Sequence, residues 1–308
     1  MPNALAHLGI NGLATKPIIR TADLKWIYLG AIIPDIAWII QRVVKFIYPS
    51  VNGYDLRLYV IIQASLLFSL ILSFWFSSFS KNQLRTFIIL SLGSLLHLLL
   101  DACQVKWGNG VLLFAPFSWK LLDFGFFWPE SWATYLITLF SLGYVIFYWK
   151  SVVNEAPDLK FRSVKYHSIY LLVLLSYFIL PPTMLQSPQN ADNHFVKTLR
   201  EYHNRSGKHI EFDRRTVFSK NGNLYVKTFA NENIKIIGKN LPSSGTVSIK
   251  GMFIDNTTIQ VTQFHVHSVL FRDGASYLGL FIILIIWVMS FIKTIKRANK
   301  KIMTLTEN

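Results

Sequence analysis

Residues 93–101 read GSLLHLLLD, an apolar run that contains one imidazole and ends in one carboxylate. His97 and Asp101 are four residues apart, so on a helix they lie on one face, one turn apart. The apolar run begins near Phe87, which predicts a membrane-spanning helix. Ionisable groups inside such a helix usually face a cavity or a partner. The pair therefore indicates either two metal ligands or a core histidine bonded to a backbone carbonyl beside a capping carboxylate.

The composition of the 308-residue chain is typical of a membrane protein. Hydrophobic residues make up 52% of it and charged residues 15%, whereas soluble domains carry about a quarter charged residues. The net charge of +15 is explained largely by the basic cytoplasmic loops of membrane proteins, and no nucleic-acid partner is expected. The single cysteine, Cys103, excludes an internal disulfide framework and a CxxC metal site.

Hydropathy predicts an α-helical polytopic membrane protein with about six spans. Their approximate ranges are 24–47, 56–76, 84–101, 132–149, 166–185 and 277–295. The apolar connection 111–128 is interrupted by glycine and proline, so we expect a re-entrant or interfacial segment there.

The loop charges predict the orientation of these spans. With the N-terminus inside, the short inner segments carry fourteen lysines and arginines and the short outer segments carry five. This bias predicts a multi-pass protein of the bacterial inner membrane with both termini in the cytoplasm. The basic tail at 293–301 would then contact anionic lipid of the inner leaflet, which makes the bilayer the first expected partner.

The polar region before the last span alternates between apolar and polar residues, as β-strands do. The pattern predicts five strands, at 210–218, 224–229, 234–237, 247–254 and 258–267. Asn221-Gly222 lies at the first hairpin turn. Five short strands predict a small all-β, OB-like barrel on the extracytoplasmic side. The predicted domains are a membrane domain, residues 1–185, the β domain, residues 186–272, and the last span with its basic tail, residues 273–308.

Two further polar residues, His7 and Asp35, are predicted to lie near the His97–Asp101 pair. At a helix rise of about 1.5 Å per residue, all four groups stand roughly 14–24 Å above the inner basic residues. Asp35 follows Pro34, which bends a helix and frees a backbone carbonyl, as is common where a span lines a cavity. The four side chains are therefore predicted to meet between the middle and the outer half of the membrane.

These motifs together resemble the family of membrane-bound metal-dependent hydrolases, over roughly residues 1–150. The ordered set is an N-terminal histidine, Pro-Asp in an early apolar segment, H-x-x-x-D, and LFAPFS at 113–118. The family is thought to be distantly similar to zinc-dependent phospholipase C and single-strand nucleases. The resemblance implies a divalent metal, with zinc expected, and residues 113–118 at the site mouth. The implied metal ligands are His7, Asp35, His97 and Asp101, and the implied catalytic residues are Asp35 and Asp101, which hold or deprotonate water.

The chain departs from the family pattern at the start of the second predicted span. The family carries His-Arg-x-x-Thr-His-Ser there, but this chain has Tyr59-Val60 for His-Arg and Ala64 for the second histidine. Ala37 also stands where a second aspartate usually follows Pro-Asp. A site for several metals thus loses at least two ligands, for which Gln63 is a weak substitute, whereas one metal could still be held.

The remaining polar candidates carry weaker signals. His265 and His267 alternate on one strand and point the same way, which favours a solvated face over a metal site. His194, His203 and His209 are predicted to be surface residues, and Asp123 is a candidate for the site mouth.

The leading functional hypothesis is a membrane-bound metal-dependent hydrolase acting on a phospho-ester or other ester of a lipid or envelope component. The alternative is a catalytically inactive relative that serves as a membrane scaffold or binding protein through its β domain. A transporter comes third, because histidine and aspartate inside a membrane also form proton relays. Stoichiometric metal separates the enzyme from the scaffold. A site open to one side or to both separates the enzyme from the transporter.

The charge bias predicts that Asn221 lies outside the cell and Asn299 inside it. In a Cys103→Ser background, a membrane-impermeant thiol reagent should label Asn221→Cys in intact cells and spare Asn299→Cys. Both should react after the membrane is permeabilised. Labelling of the tail position alone in intact cells would reverse the predicted orientation.

Overall fold

The structure, a computed structural model, describes residues 3–155, 159–160 and 164–306. Its helices are α1 (Ala4–Ile18), α2 (Leu24–Gly30), α3 (Ile36–Ile47), α4 (Gly53–Gln63), α5 (Leu66–Ser77), α6 (Gln83–Ala102), α7 (Trp132–Asn154), α8 (Val164–Met184), α9 (Gln186–Asn190), α10 (Val196–Arg200) and α11 (Val269–Thr306). Its strands are β1 (His209–Lys220), β2 (Asn223–Lys227), β3 (Asn233–Ile237), β4 (Ser244–Phe253) and β5 (Thr258–His267).

Five helical segments in the described part of the chain are long and apolar enough to cross a membrane. They are Leu24–Ile47, Gln83–Ala102, Trp132–Asn154, Ser168–Asn190 and Leu270–Ile295. Helices α4 and α5 pass the same test as a pair, but they are bent by 65° at their junction. The predicted second span is therefore a broken span or a re-entrant loop, because the helix ends at Gln63 and resumes at Leu66.

The first long segment breaks between α2 and α3, where a short 3-10 turn (Ile33–Asp35) contains Pro34. The carbonyl of Ala31 accepts a 2.6 Å hydrogen bond from Nδ1 of His97, and Ser94 Oγ lies 3.4 Å from the carbonyl of Gly30. Both side chains belong to α6, so α6 satisfies carbonyls that a continuous helix would have bonded internally.

Two glycines allow α6 to pack this closely against the break. A Cβ atom on Gly93 would lie 3.0 Å from the backbone carbonyl carbon of Gly30, and one on Gly30 would lie 2.9 Å from the carbonyl oxygen of Leu90. These separations are shorter than ordinary contacts, so larger side chains would push the two segments apart. The small residues thus set the distance between His97 and the residues that follow Gly30.

The connection between α6 and α7 is an irregular hairpin. The backbone groups of Val111 and Leu122 bond each other at 3.0 and 2.9 Å. The connection carries large exposed aromatic side chains, with Phe117 near the hairpin tip 96% exposed and Phe126 after the hairpin 73% exposed. The sequence prediction of a broken apolar segment here, rather than a regular span, agrees with this geometry.

The predicted barrel is present. The strands form a closed barrel in the order β1-β2-β3-β5-β4, in which β3 and β5 are parallel and the other pairs are antiparallel. This five-stranded closed arrangement is OB-like. The turn between β1 and β2 has positive φ at Asn221 (52°) and Gly222 (74°), as an Asn-Gly hairpin turn requires.

The barrel shares its hydrophobic core with the helical part of the chain. Leu58 of α4 is fully buried in the same cluster as the barrel residues Ile249 and Phe253. The hairpin after α6 also bonds the barrel, with the Gly108 amide donating to Glu211 at 2.7 Å. The barrel is therefore docked on the end of the helices at which α6 terminates.

Truncation of Leu58 tests this shared core. Leu58→Ala should lower the free energy of unfolding by about 2–5 kcal/mol, because it leaves a cavity in a packed core. Leu84→Ala, at a position that is 70% exposed, is the matched control and should change little. Chemical unfolding of the detergent-purified variants, followed by circular dichroism, measures both. An equal effect of the two substitutions would contradict a core shared with the barrel.

Candidate metal site

His7 is positioned by the anchored N-terminus of α1. The Asn3 side chain accepts a bond from the amide of Ala6 at 2.8 Å and donates to Thr138 Oγ1 of α7 at 2.8 Å. Ser141, one turn further along α7, donates to the carbonyl of Ala6 at 3.1 Å. These bonds tie the first turn of α1 to α7 and leave His7 fully buried on the side of α6.

The four residues predicted to converge form one buried polar cluster: His7, Asp35, His97 and Asp101. His7 Nε2 lies 3.3 Å from Asp101 Oδ1, and His97 Nε2 lies 3.6 Å from Asp35 Oδ1 and 3.9 Å from Asp101 Oδ2. The two imidazoles stack with their centroids 3.8 Å apart. Within this cluster His7, His97 and Asp101 have ligand atoms that all lie within 4.8 Å of one another, so they could hold a metal ion.

The separations in the cluster suit coordination better than direct hydrogen bonds. Ligand atoms about 2.1 Å from a tetrahedral zinc ion are about 3.4 Å apart, close to the 3.3 and 3.6 Å measured here. A direct bond from an imidazolium to a carboxylate is about 2.7–2.9 Å. Asp35 contacts the cluster through His97 at 3.6 Å. It is not one of the three described residues whose ligand atoms all lie within 4.8 Å of one another.

The two histidines differ in what holds them. His97 donates from Nδ1 to the Ala31 carbonyl, which leaves the Nε2 lone pair facing both carboxylates, as in metal-ligating histidines. Neither ring nitrogen of His7 makes a well-aligned hydrogen bond to a described residue, and the nearest polar atom to Nε2 is Asp101 Oδ1 at 3.3 Å. A buried imidazole without a well-aligned hydrogen bond costs roughly 1–3 kcal/mol, and a bound cation would remove that cost.

Lys106 adds a positive charge to the rim of the cluster. Its Nζ lies 2.9 Å from Asp101 Oδ2, and its side chain is only 5% exposed. The sequence indicates Lys106 only as a loop charge, because nothing in the pattern places it against Asp101. The ion pair neutralises one oxygen of Asp101 and leaves the other directed at His7.

A small cavity of about 30 Å³ adjoins Asp35, His97, Asp101 and Ala64, enough for one water molecule. Ala64, where the family pattern has a histidine, thus lies on the cavity wall. Gln63 does not substitute for that histidine, because its amide donates to Tyr59 Oη at 3.2 Å and to the Tyr177 carbonyl at 3.0 Å.

The wall of this small cavity also differs from the implied mouth at 113–118. Gly110, Val111 and Leu112 line the cavity, whereas Phe114 and Phe117 are exposed. The difference arises because Val111 pairs with Leu122 and turns the later residues outward. Asp123 lines a larger, open cavity of about 540 Å³ beside Lys106.

His194 lines the small cavity, contrary to the prediction from the sequence. It was expected at the surface with His203 and His209, which are indeed exposed, but it is 5% exposed and lines the small cavity. The chain reaches this position through left-handed backbone at Asp192 (φ 51°) and His194 (φ 56°). No sequence pattern signals such a bend.

The state of His194 follows from its contact with Arg57. The guanidinium donates to Nδ1 of His194 at 2.7 Å, so the proton of a neutral ring is on Nε2. Burial, together with the Arg57 charge, lowers the pKa of His194 well below its ordinary value of 6.5. A neutral imidazole therefore offers an N–H donor rather than a lone pair beside the cavity.

A second polar group joins the barrel to the residues before α7. His267 Nδ1 lies 2.9 Å from Glu130 Oε1, and His265 Nε2 lies 3.4 Å from Glu130 Oε2. The ring of His265 stacks on Trp128 at 3.8 Å. The predicted solvated face is therefore wrong for His267, whose side chain is 1% exposed, because the docked hairpin covers this part of β5.

These three residues, Glu130, His265 and His267, also satisfy the distance criterion for holding a metal ion. Both nitrogens of His267 are already engaged, however, since Nε2 lies 2.7 Å from Ser248 Oγ. Ser248 is fully buried and its Oγ also accepts the Arg214 amide at 3.0 Å. The Ser-His-Glu chain is thus enclosed, which suits a structural latch and not a nucleophile that must meet substrate.

The latch should be sensitive to acid. Burial of Glu130 opposes its ionisation, but the bonds from His267 and His265 outweigh burial and hold its pKa below the ordinary 4.5. A carboxylate whose pKa is lowered by folding stabilises the fold above about pH 4.5, and this stabilisation is lost as the pH falls and the carboxylate is protonated. Glu130→Gln should therefore lower the midpoint of thermal unfolding at pH 7. At pH 3 the midpoints of the variant and the wild type should differ less.

Glu155→Gln, at an exposed carboxylate, is the control for this measurement. Thermal unfolding between pH 3 and 7 gives the difference between each variant and the wild type. A Glu130→Gln difference that is constant over this range would show that the carboxylate charge does not support the latch.

Comparison with known proteins supplies no relative from which a function can be transferred. No family model, curated protein or solved structure matches the chain. The resemblance to membrane-bound metal-dependent hydrolases therefore stays a prediction based on its motifs.

Proposed function

We propose that the chain is a polytopic protein of the bacterial inner membrane and a metal-dependent hydrolase that acts at the membrane surface. The apolar helices support membrane insertion, because many of their large side chains, such as Leu139 and Phe140 of α7, are more than 60% exposed. The exposed phenylalanines of the hairpin after α6 suit the interface region. Both termini are cytoplasmic and the barrel is extracytoplasmic in this proposal.

The observation that carries the hydrolase proposal is the fully buried imidazole of His7, which makes no well-aligned hydrogen bond to a described residue and lies at coordination distance from Asp101. The bond from His97 to Ala31 is compatible with a core histidine and with a metal ligand alike. His7 separates these interpretations, because a core histidine is expected to have a well-aligned hydrogen bond. We assign His7, His97 and Asp101 to a divalent ion, with zinc favoured by the nitrogen and oxygen donors.

Asp35 and His194 are placed to assist the hydrolysis of an ester beside the ion. A divalent ion, when bound, supplies Lewis-acid polarisation and makes water more acidic. Asp35 adjoins the one-water cavity and is placed to accept a proton from water held there. His194 offers an N–H donor at the same cavity, which suits an oxygen that gains negative charge when an ester is attacked.

A scaffold or binding protein is the second candidate. The observation that favours it is the Lys106–Asp101 ion pair, which neutralises the cluster without any metal. In that case the docked barrel would present the binding surface, and the polar cluster would be a structural remnant. Metal content distinguishes the two proposals.

The test is elemental analysis of protein purified in detergent without chelators. The wild type should hold about one divalent ion per chain, and His7→Ala and Asp101→Asn should each lose most of it. The double variant should lose little more, because ligands of one ion act as a unit. Asp101→Asn keeps the shape of the side chain and removes the charge that favours a cation.

His209→Ala, at an exposed histidine, is the matched control and should retain the metal. Thermal unfolding with and without chelator separates loss of metal from loss of fold. A wild type without bound metal, folded and unaffected by chelator, would contradict the hydrolase and favour the scaffold.

A further inference from the structure

A cavity of about 450 Å³ lies between the barrel and the helices, directly beside the polar cluster. Asp101 and Lys106 lie on its wall together with residues of α3, α4, β1 and the start of α11. The barrel therefore forms one wall of a chamber, and the opposite wall includes Asp101, a candidate metal ligand. We call this chamber the basic cavity because of its charges.

Cations outnumber carboxylates on the wall of the basic cavity. Seven lysines and arginines and three aspartates line it. Three of the cations lie against the three aspartates: Lys106 with Asp101, Arg214 with Asp213 and Arg272 with Asp273. Within the described part of the chain, the other four have no carboxylate partner: Arg42, Lys45, Arg57 and Arg215.

Aromatic rings, not carboxylates, hold two of these cations. The guanidinium carbons of Arg57 and Arg215 lie 5.4 and 5.5 Å from the ring centroid of Phe229, and Arg57 also lies over Trp38 at 4.7 Å. Arg57 Nε and Arg215 Nε are buried and have no hydrogen-bond partner among the described residues. One terminal nitrogen of Arg57 is bonded to His194, but neither guanidinium group is paired with a carboxylate, and the remaining N–H donors have a fork geometry that matches phosphate.

Arg215 is a partly buried cation whose charge is only partly compensated. Burial lowers the pKa of Arg215, an effect that Asp213 only partly offsets. Concentrating unpaired positive charge in a partly buried chamber is costly, and a bound dianion would reduce that cost.

A narrow gap of about 50 Å³ leads sideways from the basic cavity between α3 and α11. The two spaces share Trp38, Arg42 and the paired residues Arg272 and Asp273, and Ile39 and Leu280 also line the gap. Asp35 also lines the gap, so this route passes the polar cluster. A ligand that fits both spaces has an anionic end and an apolar chain.

We propose that the basic cavity binds a phosphate group carried by a lipid, with the hydrocarbon chain leaving through the gap between α3 and α11. The barrel supplies the anion-binding wall through Arg215, and the helices supply Arg42 and Arg57. This assignment names the substrate class of the proposed hydrolase and rests on that function for turnover, but binding itself is measurable without it.

The test uses the full chain in detergent and two probes, dihexanoyl phosphatidic acid and inorganic phosphate, with affinity measured calorimetrically. The wild type should bind the phosphatidic acid more tightly than phosphate. Arg42→Gln and Arg215→Gln should each weaken binding of the phosphatidic acid about tenfold or more, as expected for loss of a charge-assisted bond. Lys220→Gln, an exposed position on the same strand as Arg215, should leave it unchanged.

A second pair of variants tests the route of the hydrocarbon chain. Ile39→Trp narrows the gap and should weaken binding of phosphatidic acid but not of inorganic phosphate. Ile47→Trp, at an exposed position on the same helix, should affect neither. Equal affinity for the two probes, with no effect of Ile39→Trp, would overturn the lipid assignment in favour of free phosphate.

The outcomes separate this inference from the proposed function. Phosphatidic acid binding that is unchanged by both arginine substitutions, or absent from a folded and metal-loaded wild type, would overturn the lipid-phosphate site alone. Arginine-dependent binding by a wild type that holds no metal would support the site and contradict the hydrolase.

Discussion

The break in the first long helix is the constraint on which the polar cluster depends. Backbone carbonyls released at such a break cost several kcal/mol each in an apolar environment unless they find a donor. The Ala31 carbonyl receives Nδ1–H of His97, and Ser94 approaches the Gly30 carbonyl. Helix α6 must therefore lie against the break, and the Gly30–Gly93 contact permits it. The same docking brings Asp35 to His97, so one requirement of the backbone assembles half of the cluster.

This arrangement gives His97 a fixed tautomer, because its Nδ1 proton is committed to the backbone. Its Nε2 is then available to the carboxylates. His7 has no comparable bond: α1 is held to α7 by Asn3 and Ser141, and the His7 ring is only stacked on His97. A structural account explains the position of His97 fully. The position of His7 rests on weaker contacts, the stacking on His97 and the 3.3 Å approach to Asp101, and the proposed cation would strengthen them.

Local sequence patterns were sufficient for the five strands, for the approximate positions of the long apolar helices and for part of the site, but not for the breaks within the first two predicted spans. Alternation and the Asn-Gly turn predicted the five strands, and helix periodicity placed His97 and Asp101 on one face. Long-range packing was not readable in this way. The sequence allows Gln63 to face the cluster, but in the structure its amide donates to Tyr59 and to the Tyr177 carbonyl. His194 reaches the cavity through left-handed backbone, which the residue types do not predict. Leu58 belongs to the barrel core only because the barrel docks on α4.

The cavities and packing around the cluster indicate whether it suits a proton or ion pathway or a site that binds and processes a ligand. A proton or ion pathway through a membrane must reach both sides, as the relays of pumps and transporters do. Two cavities that adjoin Asp101 extend toward the barrel and its docking hairpin. On the side away from the barrel, the helices pack through the fully buried side chains of Leu8, Ile27 and Leu90. An apolar plug thus closes the side away from the barrel, whereas the basic cavity and the gap between α3 and α11 adjoin the cluster on the barrel side and laterally. This arrangement suits a site that binds and processes a ligand better than a conduit from one side of the membrane to the other.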